Sequence, residues 1–249
     1  MKKLEPAQYR EVLSRIDPAG CGAVYPYSVA EGLQTGEIWA DDRSVLIWHY
    51  CGFAFPFGDT AELHAWIYRQ FLSEEAELPR RFLLFVSEQR AADYAGKPGL
   101  LAEERCFFTH PGAQKHPPLT QDEQAGIREI DRELLGRLTG RITPPFSWSS
   151  PPQFLQNGKG FCVMRDGIPA SCAFSAAVSH NELDIGIETD PQYRKQGLAR
   201  LAAQAMIEYA AAQNKTPVWA CHAQNGASRS LAEKLGFVQT DTCITIRKG

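Results

Sequence analysis

The chain has 249 residues, 44% of them hydrophobic and 22% charged, a balance that supports burial of a core and excludes a disordered chain. A net charge of -3 and a pI near 6.1 leave no cationic excess, so neither duplex nucleic acid nor an anionic membrane surface is an expected partner. Residues 1–6 lack the apolar run of a signal peptide and no stretch of about 18 apolar residues occurs, so a cytoplasmic location is expected.

The length points to two domains. Residues 37–40 and 44–57 are aromatic and β-branched and read as strands, with Asp41 and Asp42 in the turn between them. Thr60 is a candidate cap for a helix over 61–72, where Leu63, Trp66, Ile67 and Phe71 share one face. The apolar run 82–86 reads as a buried strand, and 106–108 as another, giving a mixed α/β first half. Its aromatics, Trp39, Trp48, Tyr50, Phe53, Phe55 and Phe57, read as core packing, with the lining of a ligand pocket as the alternative. The proline-rich stretch 110–118 breaks every period and sets the boundary between expected domains 1–118 and 119–249.

Beyond it, 127–130 reads as a short strand, and Asp131 caps a helix running to 138. The Pro144-Pro145 and Pro151-Pro152 pairs frame a loop and a second short helix. Residues 160–164, 170–178 and 182–189 follow as three antiparallel strands joined by short turn signals. A helix over 197–212, a strand over 217–221, a helix over 227–235 stopped by Gly236, and a last strand over 242–247 complete a mixed sheet. The seven cysteines, Cys21, Cys51, Cys106, Cys162, Cys172, Cys221 and Cys243, contain no C-x-x-C pair and read as buried thiols. No histidine spacing suits a metal.

Chemistry concentrates where the strand ending at Ile187, Glu188 and Thr189 turns into the helix at Gly197. The first turn of a helix leaves backbone amides unpaired at the positive end of its dipole, which suits a pyrophosphate. Gly197 and Ala199 permit close approach, and Arg194 and Lys195 add charge.

Arg194-Lys195-Gln196-Gly197-Leu198-Ala199 fills the signature [RQ]-x-x-G-x-[GA], and Asn225 with the run from Leu231 to Phe237 resembles a second motif. On these residues the chain resembles the GNAT superfamily of N-acyltransferases, from about Gln124 to the C-terminus, and is similar to a subgroup with an extra N-terminal domain. The resemblance implies a mixed, mostly antiparallel α/β (α+β) sheet with flanking helices in the second half. The smaller first half is expected to be a degenerate copy without a CoA loop, contributing a substrate wall or a homodimer surface. It also implies acetyl-CoA, or a longer acyl-CoA, as co-substrate, with its pantetheine arm between the strand of Ile187 and Thr189 and the strand of Trp219 to Cys221. Arg194 through Ala199, including Gln196 and Leu198, would hold the pyrophosphate, and Asn225 and Ser228 would line the arm. Asn225 as a plain helix cap is an equal reading.

The expected reaction moves an acetyl group to a primary amine of a small molecule by direct attack in a ternary complex, which needs a base. Strand alternation places Glu182, Asp184, Gly186 and Glu188 on one face. Glu188, nearest the loop, is the first candidate and His222 the second. Their alternatives are a carboxylate bonded to turn amides and a plain strand-end histidine. Many family members carry a tyrosine where this chain has Ala232, a proton donor for the leaving thiolate. Its loss leaves a non-catalytic acyl-CoA-binding module as the alternative function.

Overall fold

A computed structural model describes residues 1–112 and 119–249; the expected boundary at 110–118 falls largely outside the described residues. In chain order, β1 (Lys2–Lys3) and a 3-10 helix at Pro6–Arg15 lead into α1 (Val24–Ala30). Next come β2 (Gly36–Ala40), β3 (Val45–His49), β4 (Phe53–Phe57), α2 (Ala61–Ile67), β5 (Leu83–Val86), α3 (Glu88–Ala91) and β6 (Leu100–Thr109). The second half holds α4 (Gln121–Ala125), β7 (Ile127–Glu129), α5 (Arg132–Leu135), α6 (Pro151–Asn157), β8 (Gly160–Arg165), β9 (Ile168–Val178) and β10 (Glu182–Thr189). It ends with α7 (Leu198–Ala212), β11 (Thr216–His222), α8 (Gly226–Lys234) and β12 (Val238–Lys248).

The twelve strands of the described residues form one sheet in the order β1-β2-β3-β4-β5-β12-β6-β11-β10-β9-β8-β7. The order is nearly palindromic. Each half runs through antiparallel hairpins, a helix, a strand parallel to the one before that helix, a short helix and a long last strand. The parallel pairs are short: Phe53 and Ala54 against Leu83 and Leu84, and Glu182, Leu183 and Asp184 against Thr216, Pro217 and Val218. The last strands then change places, β12 pairing with β5 and β6 with β11, while β6 and β12 run antiparallel to each other from Leu100 and Lys248 to Thr109 and Val238. Each half therefore borrows a strand from the other, and the middle of the sheet exists only when both halves are present.

Several local expectations change. Residues 44–57 form a hairpin, because Gly52 turns the chain at φ +98 where a Cβ would meet the Arg81 carbonyl oxygen at 2.6 Å. The helix expected over 61–72 leaves α geometry after Ile67 and finishes as a π-helical turn, Tyr68–Leu72. The helix after Asp131 stops at Leu135, and β6 begins six residues before Cys106. The thiol reading is also corrected. Cys162 and Cys172 face each other across the β8–β9 hairpin and are joined, as are Cys21 and Cys243, leaving Cys51, Cys106 and Cys221 as buried free thiols. Cross-strand neighbours bring the first pair within reach. The second joins residues 222 positions apart, which spacing alone cannot reveal.

The helix α7 buries Leu198, Leu201, Ala202, Ala205 and Met206 in a core shared with Phe174, Ile185 and Trp219. Its small side chains let the helix lie close on β9 and β10, which fixes the aim of its N-terminus. Of the first-half aromatics, Trp48, Phe53 and Phe55 are core, with Trp39 and Phe57 partly buried against it and Tyr50 half-buried: Trp48 and Phe71 sit at 5.7 Å, Phe55 and Phe85 stack at 4.5 Å. Phe53, only 2% exposed, also lines the cleft described next.

Candidate active site

Pairing between β10 and β11 ends at Asp184 and Val218, while β10 stays paired to β9 as far as Thr189 and β11 to β6 as far as His222. From Ile185 and Trp219 onward the two strands splay, and their facing edges carry unpaired backbone groups. A bulge between β9 and β10 falls at the same point, beside Asp184 and Ile185, and such bulges sharpen local twist. The wedge opens into a cleft of about 1040 Å³ lined from both halves, by Tyr25, Phe53 and Arg81 of the first and Asp184 through Glu188 of the second.

At the open end lies the loop into α7. Arg194 through Gly197 are exposed, and Lys195 and Gly197 both adopt left-handed backbone, φ 62 and 78. Gly197 caps α7 without any side-chain acceptor, so the leading amides of the helix have no partner from a cap. A Cβ at Gly197 would meet nothing within 4 Å; its glycine serves the backbone turn and leaves space above it. Leu198 is buried beneath and anchors the turn. The Arg194 Nε–H donates to the Thr189 carbonyl at 3.2 Å, holding the loop against the end of β10. Thr189 also shares a 2.8 Å hydroxyl contact with Ser171 on β9. The residues present therefore fit a pyrophosphate-bearing substrate by charge, backbone donors and clearance.

Glu188 lies nearer this mouth. Its Oε2 accepts from the backbone amides of Arg141 and Ile142 at 3.2 and 3.0 Å, and its Oε1 is 3.8 Å from Arg194. Gly140, at φ +104, approaches so closely that a Cβ would sit 2.7 Å from the Glu188 Cγ. Glu188 thus pins the 140–142 loop to β10. His222 ends β11, its Nε2 3.2 Å from Glu103 on β6, which also takes a 2.7 Å bond from Arg247 on β12. The Arg247 bond, with the one from His222, holds the Glu103 carboxyl at about 2. Asn225 caps α8 by accepting from the Ser228 amide at 3.1 Å, and the Ser228 Oγ accepts from the Trp219 indole N–H at 3.0 Å; both residues line the cleft. Ile187 lines it from β10.

Asp184 stands at the closed end of the wedge, roughly 13 Å along the strand from Glu188. It is 4% exposed and accepts a 2.7 Å hydrogen bond from the hydroxyl of Tyr25 on α1. Burial pushes its carboxyl up to about 7, against the opposing pull of Tyr25 and Arg105. The acidic stripe of β10 contains this residue, but only depth separates it from Glu188, and depth is set by the splay and by a helix from the other half. The cluster of metal-type ligands among the described residues is Cys21, Asp241 and Cys243, where the two sulfurs are already joined to each other.

A sheet split beside one parallel strand pair, with a glycine-capped helix beyond the split, is the frame of an acyltransferase. The chain belongs to the GNAT acetyltransferase family, whose profile matches residues 22–245, and it is an acyltransferase enzyme of that family. It is 27% identical over 258 residues to the uncharacterized N-acetyltransferase YdfB of Bacillus subtilis (strain 168), an alignment covering 99% of this chain and 97% of that protein. Its fold is similar to that of a GCN5-related N-acetyltransferase-like protein from Streptococcus suis, with a TM-score of 0.70 at 20% identity over 98% of this chain and 100% of that one. A Drosophila protein shares the fold at a TM-score of 0.69 and 15% identity, over 100% of this chain and 98% of its own. The likeness spans the whole chain in both cases, so the first half is part of the shared architecture. No helix among the described residues is long and apolar enough to cross a membrane.

Proposed function

We propose that this enzyme moves an acetyl group from acetyl-CoA to the primary amine of a small molecule, in a ternary complex, with Asp184 as the base. The observation that carries the proposal is the wedge itself: an open strand edge runs from an anion-ready helix terminus, at Gly197 and Leu198, to a buried carboxylate at Asp184. An extended arm lying along β10 would pair with the free edge of that strand as an added strand does. Its phosphates would meet Arg194, Lys195, Gln196 and the amides up to Ala199, and Asn225 and Ser228 would flank it from α8.

In the reaction the amine nitrogen attacks the thioester carbon, the carbon–sulfur bond breaks, and one N–H proton passes to Asp184. A carboxyl near neutrality is ionised often enough to accept a proton and is basic enough to hold it. The thiolate is a fair leaving group, since a thiol loses its proton near 8.5. Ala232 is fully buried and cannot protonate it; we assign that step to water, directly or through the Ser228 hydroxyl on the same wall, which passes its proton to the sulfur as it takes one from water. His222, at the end of β11, and Glu188, nearest the loop, then act as wall and anchor.

Among the described residues, the first half offers no second cradle of this kind. Where α7 has a free first turn, α2 is capped by Thr60, whose Oγ1 accepts from the Leu63 amide at 3.2 Å, and the adjacent Asp59 carboxylate bonds His64 and Arg90 at 2.8 and 2.9 Å. A carboxylate there repels phosphate. We therefore propose one acyl-CoA site per chain. Measuring thiol release from acetyl-CoA across a panel of amines tests the function; tight binding of acetyl-CoA with no release for any amine would return the chain to a binding role.

A further inference from the structure

Resting on this reading of the site, we propose that the acceptor is an amine that also carries an oxyanion, a carboxylate or a phosphate, held by Arg81 and Arg105 while its nitrogen faces Asp184. Five guanidinium groups line the cleft, those of Arg80, Arg81, Arg105, Arg141 and Arg247. Two of them are spoken for: Arg80 bonds Glu37 at 2.6 Å, and Arg247 bonds Glu103 at 2.7 Å. Among the described residues, no carboxylate lies within ion-pair reach of the other three. The Arg105 Nε is buried with no hydrogen-bond partner, an arrangement that costs free energy unless a ligand supplies the acceptor.

Arg81 and Arg105 converge on one place. They approach the ring of Phe53 at 5.6 and 5.0 Å, and Phe53 meets Tyr25 at 4.9 Å, the residue that holds Asp184. Like charges so arranged repel: burial first, then Arg105, Arg141 and Arg247, bring Arg81 below the usual guanidinium range. Chains place uncompensated cations together in a cleft chiefly where an anion is to be bound, and the planar fork of arginine matches carboxylate and phosphate alike. The phosphates of the acyl donor are not that anion. Their cradle begins beyond Asp190, about six strand residues or roughly 20 Å from Asp184, whereas Arg105 is close enough to Asp184 to pull on its proton. A negative group a few bonds from the amine would bridge the two, so the site is shaped for a zwitterion such as an amino acid or an aminoalkyl phosphate.

The experiment compares amino carboxylates and aminoalkyl phosphates with their neutral amides and with alkylamines of equal length, using the full chain and acetyl-CoA. The anionic amines should show kcat/KM at least about 30-fold above their neutral matches, and the two anionic series tell carboxylate from phosphate. R105M and R81M should each lower kcat/KM for the anionic series about 10- to 100-fold, mainly through KM. KM for acetyl-CoA should stay unchanged; because Arg105 also pulls on the Asp184 proton, the quantity read is the ratio of anionic to neutral kcat/KM, which should fall in both variants. Use of two variants, each checked by thermal unfolding, separates loss of the anion site from loss of the fold. Equal turnover of neutral and anionic amines would overturn the inference alone, as would a rise in acetyl-CoA KM in R105M. No thiol release with either series would bring down the functional reading and this inference with it.

Discussion

The hydroxyl of Tyr25 donates to Asp184 Oδ2 at 2.7 Å across 159 residues of sequence, and both side chains are almost wholly buried. A helix of the first half thus supplies the partner of a carboxylate on a strand of the second. With burial setting Asp184 at about 7, kcat/KM should rise with pH through that value as the carboxyl loses its proton and becomes a base. In D184N, kcat/KM should fall about 10²- to 10³-fold and the rise should disappear. Acetyl-CoA affinity should be unchanged, because the phosphate cradle is remote. Full activity in D184N would remove Asp184 from the mechanism.

Replacing Tyr25 by Phe tests the same pair from the other side. A hydrogen bond to the ionised carboxylate favours ionisation, and the Tyr25 bond lowers the Asp184 value that burial raises. Without it, Asp184 should take up its proton more readily, so the acid limb of the Y25F profile should lie at higher pH than that of the native enzyme. A profile that stayed in place would show that the hydroxyl does not act on Asp184. An unsatisfied buried carboxylate should also cost about 1–3 kcal/mol of stability when ionised, readable by denaturant unfolding at pH 8.

What the sequence makes legible here is local. The glycine before α7, the basic turn and the apolar face of the helix lie within a few residues of one another, and periodicity exposes them. The acidic stripe of β10 is legible too, from alternation. The choice within it is not, because the depth of Asp184 relative to Glu188 depends on where β11 stops pairing and on a tyrosine 159 positions away. The exchange of β6 and β12 between halves, the joining of Cys21 to Cys243 and the meeting of Arg81 with Arg105 at Phe53 are likewise contacts of large sequence separation. They leave no period in a window of residues. The α1 helix, short and buried on most of its surface, has no polar face to announce it.

Gly197 offers a cleaner test of the cradle than its charged neighbours. Its φ of +78 costs a non-glycine residue about 1–2 kcal/mol, but nothing within 4 Å obstructs a Cβ. G197A should therefore fold, with a modest loss of stability. The added methyl would occupy the space above the first turn, so KM for acetyl-CoA should rise about tenfold or more while KM for the amine holds. A variant with normal acetyl-CoA KM would mean that phosphates do not sit on this turn.

Glu103 joins three strands that come from both halves: it lies on β6, bonds Arg247 of β12 at 2.7 Å and meets His222 of β11 at 3.2 Å. Its folded value of about 2 lies below the ordinary glutamate value of 4.5, through the Arg247 bond first and His222 after it. The native state therefore binds this proton less readily than the unfolded chain does. The stabilisation is complete above about pH 4.5 and is lost as pH falls through the interval down to 2. The side chain is 26% exposed, so solvent screening holds the contribution to about 1 kcal/mol. E103Q should lose that amount at pH 7. The difference from the native protein should shrink between pH 4.5 and 2, measured by urea unfolding across the pH range in which both proteins remain folded in water. An equal difference at pH 7 and pH 3 would mean that the carboxylate charge is not what ties β6 to β12 and β11.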